Sequence, residues 1–339
     1  MEVFESKPPA FTDDQLCEIL KTYFDREGDI KALVSERDQN ARLISDDGEY
    51  VLKIANIAEN KKFIEFQNAV LNHIAKFDPD LAVPVVIKGA NGAEIFDHLG
   101  HSIRLISFLK GDIFNSAPKS TALYEDLGCF LGRFSKAMIG FDHAQAHQPE
   151  FLWNLDNALF TKQYIDDIEN DENRELIKYF YNRYETKVAP RLKAMRSAVI
   201  HSDANDFNVV AQGDKISGLI DFGDMLYAKQ VNELAISLGY VIMDVDDLYN
   251  VSNAMISSYT QVFALTEDEL EVLFDLAAMR LVMSVCISSN RAIKASSEKH
   301  KEYLLITQAP ALRTLRRLKD IDMSSLSSFA KKAGGFKAA

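Results

Sequence analysis

The chain has 339 residues, 47% hydrophobic and 26% charged, which is length for about two domains and for a core that needs no disulfide or metal staple. Its 38 basic and 50 acidic side chains leave a formal net charge of −12, and this excludes a nucleic-acid partner, because neutralising phosphates takes a basic face. Cys17, Cys129 and Cys286 are scattered with no CxxC pair or Cys/His ligand spacing, which excludes a zinc site and suits a reducing cytoplasm.

The N-terminal stretch MEVFESKPPAFTDD has no basic region followed by an apolar core, so no signal peptide is expected. Thr12, followed by Asp13 and Asp14, caps a first helix whose apolar residues are Leu16, Ile19, Leu20, Tyr23 and Phe24; Gly28 closes it. Strand-like runs follow at 30–34, 41–45 and 50–54, the last two joined by the hairpin signal Asp46-Asp47-Gly48. A second amphipathic helix sets Phe63, Phe66, Val70, Leu71 and Ile74 on one face. Further strands are expected at 82–87, 93–97 and 102–108, with Asn91-Gly92 as a turn. The first third therefore reads as a small antiparallel sheet crossed by one long helix.

Beyond Lys110-Gly111-Asp112 the period becomes helical over 120–141, 154–170, 172–197, 231–263, 267–293 and 299–319. One β patch interrupts it, over 197–224, with Gly213-Asp214 as a hairpin turn. The most apolar stretch, 276–287, is broken by Arg280 and is too short to span a bilayer, so no membrane partner is expected. The tail, 324–339, is rich in Ser, Ala, Gly and Lys and reads as mobile. The fold class is α+β with two lobes: 1–107, a helical 108–323, and the tail.

The sharpest signal is VIHSDANDFNVVAQGDKISGLIDFGD. It places Asn208 five residues after Asp203 of His201-Ser202-Asp203, and Asp221-Phe222-Gly223 eighteen after it. Apolar pairs before Asp203, after Asn208 and before Asp221 mean that strands deliver the loop. This is the order a phosphoryl-transfer site uses: one Asp accepts the proton of the attacking hydroxyl, and an Asn with a second Asp holds Mg²⁺ over nucleotide phosphates. Either motif alone would be an ordinary Asx-rich turn; the two in sequence, with that spacing, are a strong pattern.

The segment resembles the catalytic loop of the aminoglycoside phosphotransferase and choline kinase superfamily. Asn205-Asp206, the run from Gly218 to Tyr227, and the block Phe151-Leu-Trp153-Asn-Leu155 are most similar to its hydroxylysine kinase branch. The resemblance covers roughly 28–245 and implies a protein-kinase-like fold, with a nucleotide-binding first lobe and the acceptor site in the second. It implies Asp203 as catalytic base, Asn208 and Asp221 as metal ligands, and ATP or GTP as co-substrate. It further implies a small amino-alcohol acceptor, 5-hydroxylysine first, and makes His201 a scaffold for the loop. Ser202 departs from the pattern, standing where the family has Gly.

Upstream, Lys53 inside the strand 50–54 matches the lysine that pairs nucleotide phosphates, and a helical Glu should brace it: Glu65, with Glu59 as the alternative. The turn Ser35-Glu-Arg-Asp-Gln-Asn40 has no glycine, so Ser35 or backbone N–H groups would meet phosphate, or the turn is an ordinary polar hairpin. The segment 105–109 should reach the purine through its backbone. Asp224 and Asp244 are candidates to face an acceptor ammonium, although a solvated helix end also accounts for Asp244, Asp246 and Asp247. The rival class is a pseudokinase of the same fold that binds a nucleotide or partner without turnover. A protein kinase is the poorer fit, because no A-P-E segment follows Asp221-Phe-Gly.

Overall fold

In the computed structural model, which describes residues 7–35 and 37–337, Thr12 opens the first helix as a capping box with Gln15. Helix α1 (Asp13–Ile19) runs on as a π turn to Phe24 and buries Leu16, Ile19, Leu20 and Phe24. Strands β1 (Asp29–Leu33), β2 (Gln39–Ser45) and β3 (Gly48–Ile54) form an antiparallel meander with the turn at Asp46-Asp47. After helix α2 (Lys61–Phe77) come β4 (Val86–Ile87), β5 (Phe96–His98) and β6 (His101–Ser107). The sheet order is β1-β2-β3-β6-β4, with β5 also on β6. Of the strand expected over 82–87 only Val86 and Ile87 pair, because Pro84 has no N–H to give a ladder.

Alternation decides which face is core. Tyr50, Leu52 and Ile54 of β3, Ala41 and Leu43 of β2, and Ile103 and Leu105 of β6 pack on the apolar side of α1. Lys53 and its cross-strand partner Arg104 point to the other face, where Arg104 donates to Asn68 Oδ1 of α2 at 2.8 Å and to Gln67 Oε1.

By contacts the chain divides into one unit of residues 1–111 with 217–220 and a second of 112–216 with 221–339. Residues 217–220 fall with the first because Ser217 Oγ donates to the Lys110 carbonyl and the Leu219 N–H to that of Ala82, 2.7 and 3.1 Å.

The second unit contains β7 (Asp112–Ile113), α3 (Thr121–Ala137), a kinked 3₁₀ stretch (Leu155–Asp167), α4 (Asp171–Arg183) and α5 (Ala189–Leu192). Strands β8 (Ser197–Ile200), β9 (Val209–Gln212), β10 (Lys215–Leu219) and β11 (Leu226–Lys229) flank the motif segment. Then come α6 (Val231–Val241), α7 (Leu248–Val262), α8 (Glu267–Glu271), α9 (Leu273–Ile293), α10 (Glu298–Leu304), α11 (Gln308–Asp320) and α12 (Met323–Ala333). The continuous helices expected over 231–263 and 299–319 are each two helices. Asp247, whose side chain accepts the Asn250 N–H, starts a fresh helix after the first break.

Two further expectations are corrected. The apolar stretch around Arg280 is a helix of 21 residues, long and apolar enough to cross a bilayer, and 89% of its core window is buried inside the protein; Arg280 does not break it. The tail is not a mobile segment over its described length: α12 is capped by Asp322 and buries Met323, Leu326, Ser327 and Ala330. Ser327 Oγ donates to the Glu271 carbonyl at 2.7 Å and Lys331 pairs with Glu271 at 2.8 Å. Its small residues suggest mobility by composition, yet they leave an apolar stripe at helical spacing.

Helices α3 and α7 approach backbone to backbone at Gly128 and Gly132. A Cβ on Gly128 would collide with the Met255 carbonyl and the Ser258 hydroxyl. Gly128→Ala should therefore cost about 1–3 kcal/mol, the scale of overpacking, despite alanine's better helix propensity. Thermal unfolding measures it; an unchanged or raised melting temperature would contradict the close approach.

Candidate active site

The motif loop hangs between strands of the second unit. β8 delivers His201 and pairs antiparallel with β11, Ile200 opposite Leu226. The loop turns back on itself through Asn205, whose Oδ1 accepts the N–H groups of Phe207 and Asn208 at 2.8 and 3.1 Å. Ser202 has φ of 66° and Asp221 φ of 60°, left-handed backbone that costs a residue with a Cβ about 1–2 kcal/mol. Two such residues in one loop are the kind of stored strain that functional sites carry. The Ser202 hydroxyl is buried without a hydrogen-bond partner.

The loop is pinned from below. Glu233 of α6, 1% exposed, accepts the His201 N–H on Oε2 at 2.6 Å. The His201 ring, itself fully buried, accepts the Asp203 N–H on Nδ1 at 3.3 Å and meets Phe222 edge-on at 4.9 Å. Accepting at Nδ1 assigns the ring proton to Nε2. Burial pushes the Glu233 carboxyl up to about 7, against the two backbone N–H groups that favour its charge.

Asp203 is the meeting point of the loop's side-chain hydrogen bonds. Its Oδ1 accepts from Arg280 Nη2 at 2.8 Å and Asn205 Nδ2 at 3.0 Å; its Oδ2 accepts from Asn208 Nδ2 at 2.7 Å. Burial pushes its carboxyl up to about 7; Arg280 opposes this, while the nearby carboxylates of Asp224 and Asp221 add to it. The structure thus brings Asp203 and Asn208 into direct contact, with Asp221 and Asp224 as electrostatic neighbours. Asp221 is exposed and its Oδ1 accepts the Gly223 N–H at 3.4 Å.

Beside the loop lies a cavity of about 480 Å³ lined by Asn115, Lys119, Asp206, Phe207, Tyr240 and Asp244, among others. Asp244 is held by Arg313 on both oxygens, an exposed pair that keeps its carboxyl below the usual carboxylate range. Asp206 is 8% exposed, takes Asn115 Nδ2 on Oδ2 at 2.6 Å, and has no partner on Oδ1.

In the first unit Lys53 is half-buried mid-strand, as its alternation demands. Glu65, the expected brace, lies on the outer face of its helix. The phase of α2 turns Ile64, Gln67, Asn68 and Leu71 inward and leaves Glu65 exposed, with no ion pair or hydrogen bond among the described residues. Glu59 sits partly buried before α2, its carboxyl raised by burial and eased by Arg37. Ser35 Oγ accepts the Asp38 N–H at 3.3 Å and closes the β1–β2 turn. In 105–109 the N–H groups of Ser107 and Phe108 are already spent on the carbonyls of Val85 and Glu49, both at 2.9 Å.

Sequence reasoning gave no role to Glu233, Asp206 or Arg280. Asp206 entered only within the Asn205-Asp206 motif, and Arg280 only as a cation inside an otherwise apolar helical run.

The family model described as APH, phosphotransferase enzyme family, matches residues 29–255. The chain belongs to this family. It is a phosphotransferase acting on a hydroxyl group, with the two-part kinase-like α+β fold. It is 28% identical over 336 residues to hydroxylysine kinase of Danio rerio, covering 94% of each chain. It is 27% identical over 287 residues to homoserine kinase of Zymomonas mobilis, covering 81% of this chain and 86% of that one. Among solved structures, a microcompartment-associated aminopropanol kinase superposes with a TM-score of 0.72 at 13% identity, over 93% of this chain and all of that one. An amicoumacin kinase in complex with AMP-PNP, Ca²⁺ and Ami gives 0.67 at 13% identity, over 91% and 97%.

The raised Glu233 carboxyl carries a stability signature. A carboxyl more basic folded than unfolded contributes stability that is full below its unfolded value near 4.5 and lost as pH rises through about 7. Glu233→Gln removes that loss, so the variant should gain on the wild type by about 2–3 kcal/mol between pH 5 and pH 8. Chemical denaturation at the two pH values reads it; a gap independent of pH would show that Glu233 titrates normally.

Proposed function

We propose that this chain is a small-molecule kinase that moves the γ-phosphoryl group of ATP or GTP to the hydroxyl of an amino alcohol, with 5-hydroxylysine the first choice. The observation that carries the reading is the Asp203 carboxylate, anchored within the loop with Asn208 on its other oxygen, in a chain of this family. The similarity to hydroxylysine and homoserine kinases over most of the chain supports an acceptor of that kind.

Asn208 and Asp221 would hold Mg²⁺. Both offer hard oxygen, and no three His, Cys, Asp or Glu side chains converge as a cage among the described residues. That donor set fits a cation that keeps waters and phosphate oxygens in its shell. When bound, the cation neutralises phosphate charge. Asp203 orients the acceptor hydroxyl and takes its proton, and a carboxyl near neutrality is matched to that task. Lys53 holds phosphate oxygens, and Ser35, whose own hydroxyl proton is uncommitted, is placed to add a donor at the turn. With Ser107 and Phe108 spent, the Leu109 backbone is the part of 105–109 left for a purine edge.

Asp224 remains the acid beside Asp203 for an acceptor ammonium. In the adjoining cavity Asp206 rather than Asp244 has unused capacity, since Arg313 already neutralises Asp244. A cytoplasmic setting suits the three free thiols. The pseudokinase reading draws on one feature, the left-handed Ser202 with its orphan hydroxyl. Against it, the loop carries Asp203, Asn208 and Asp221 together.

Asp203→Asn should lower turnover about a hundredfold or more while nucleotide affinity stays within a few-fold. Steady-state rates and a nucleotide titration check this; near-full turnover would remove Asp203 from the reaction. An acceptor panel tests substrate class: 5-hydroxylysine and ethanolamine should exceed matched alcohols lacking the amine by about tenfold, because an unpaired buried carboxylate costs about 1–3 kcal/mol. Equal rates would exclude a cation-selective site, and phosphate release with none of them would favour the pseudokinase.

A further inference from the structure

Arg280 lies midway along α9, 2% exposed, among side chains that are otherwise apolar or small. A guanidinium so placed is tolerated only where it is paired and hydrogen-bonded. Its Nη2 donates to Asp203 Oδ1 at 2.8 Å and its Nη1 to the Trp153 carbonyl at 3.2 Å. The Trp153 ring, the only tryptophan in the chain, stacks on the guanidinium at 4.6 Å, and Tyr240 lies on it at 5.7 Å. The plane of the cation is therefore set by aromatic contacts and a carbonyl from a different segment, independently of Asp203.

The two oxygens of Asp203 are unequal as a result. Oδ1 receives Arg280 and Asn205; Oδ2 receives Asn208 alone. We infer that Arg280, clamped by Trp153, is a positioning residue that commits Asp203 Oδ1 and presents Oδ2 to the acceptor hydroxyl. This rests on Asp203 as the proton acceptor. The hydroxyl O–H bond breaks with its proton passing to Oδ2, its oxygen forms the bond to the γ-phosphorus, and the bond from that phosphorus to the nucleoside diphosphate breaks. Arg280 touches neither substrate. Its effect is on the angle from which Asp203 meets the hydroxyl, so it belongs to kcat and not to acceptor binding.

The test is a double-substitution cycle on the full chain, with 5-hydroxylysine and ethanolamine as acceptors and Mg²⁺ with ATP or GTP. Arg280→Met should lower kcat about a hundredfold and Arg280→Lys about tenfold, the ammonium keeping the charge but not the planar fork, with acceptor KM within about threefold. In an Asp203→Asn background either change should lower the residual rate by less than about threefold, because the group Arg280 acts through is gone. Trp153 emission supplies a readout that needs no turnover: Asp203→Asn should shift it in the wild type and leave it unmoved in Arg280→Met or, should that variant not fold, in Arg280→Lys shift it less. A folded Arg280 variant with wild-type kcat, a loss confined to KM, or a full additional loss on Asp203→Asn would overturn the inference. Near-full turnover of Asp203→Asn alone would instead overturn the reading of Asp203 itself, and the emission cycle would still decide whether the two side chains are coupled.

Discussion

The second unit is organised around a loop that must be strained and polar yet seated on an apolar floor. The contact that makes this possible is the Glu233 carboxylate beneath it, taking the His201 N–H where no strand partner exists. A buried backbone N–H left unpaired would cost as much as the hydrogen bond it lost, and here two left-handed residues add their own strain. His201 extends the same support one residue further by accepting the Asp203 N–H, and Phe222 seals the ring from the side. The β8–β11 ladder below and the Asn205 turn above leave the loop few alternatives.

Once the backbone is held, the charges can be arranged by burial. Asp203 is fed from three directions, by Arg280 of α9, Asn205 and Asn208 of its own loop, with Asp221 and Asp224 close enough to raise its carboxyl. Burial, opposed by Arg280 and helped by the two neighbouring acids, lifts its carboxyl to about 7, which matches the proposed role of proton acceptor. The apolar composition of α9 serves this end. A helix of membrane-like hydropathy, buried on nearly all sides, excludes water from Arg280 and makes its pairing with Asp203 obligatory. The family supplies the reaction class, and in the cavity beside the loop one acid is paired with Arg313 while another, Asp206, has an oxygen without a hydrogen-bond partner.

Much of this was legible in one dimension. The capping box at Thr12, the hairpin at Asp46-Asp47-Gly48 and the spacing from Asp203 to Asn208 to Asp221 are local features, settled by residues a few positions apart, and local chemistry suffices to read them. The first sheet and its helix followed from period alone. What the sequence could not decide was set by helix phase and by contacts between distant segments. Glu65 and Gln67 are two residues apart, yet the rotation of α2 gives one to solvent and the other to Arg104. Arg280 and Asp203 are 77 positions apart, and only packing α9 under the loop makes them a pair. The tail read as mobile because composition has no partner in it; folded against Glu271, the same residues bury Leu326 and Ala330. Spacing along the chain determines which chemical groups a loop can carry, and burial by remote segments determines which of them are charged, paired and able to act.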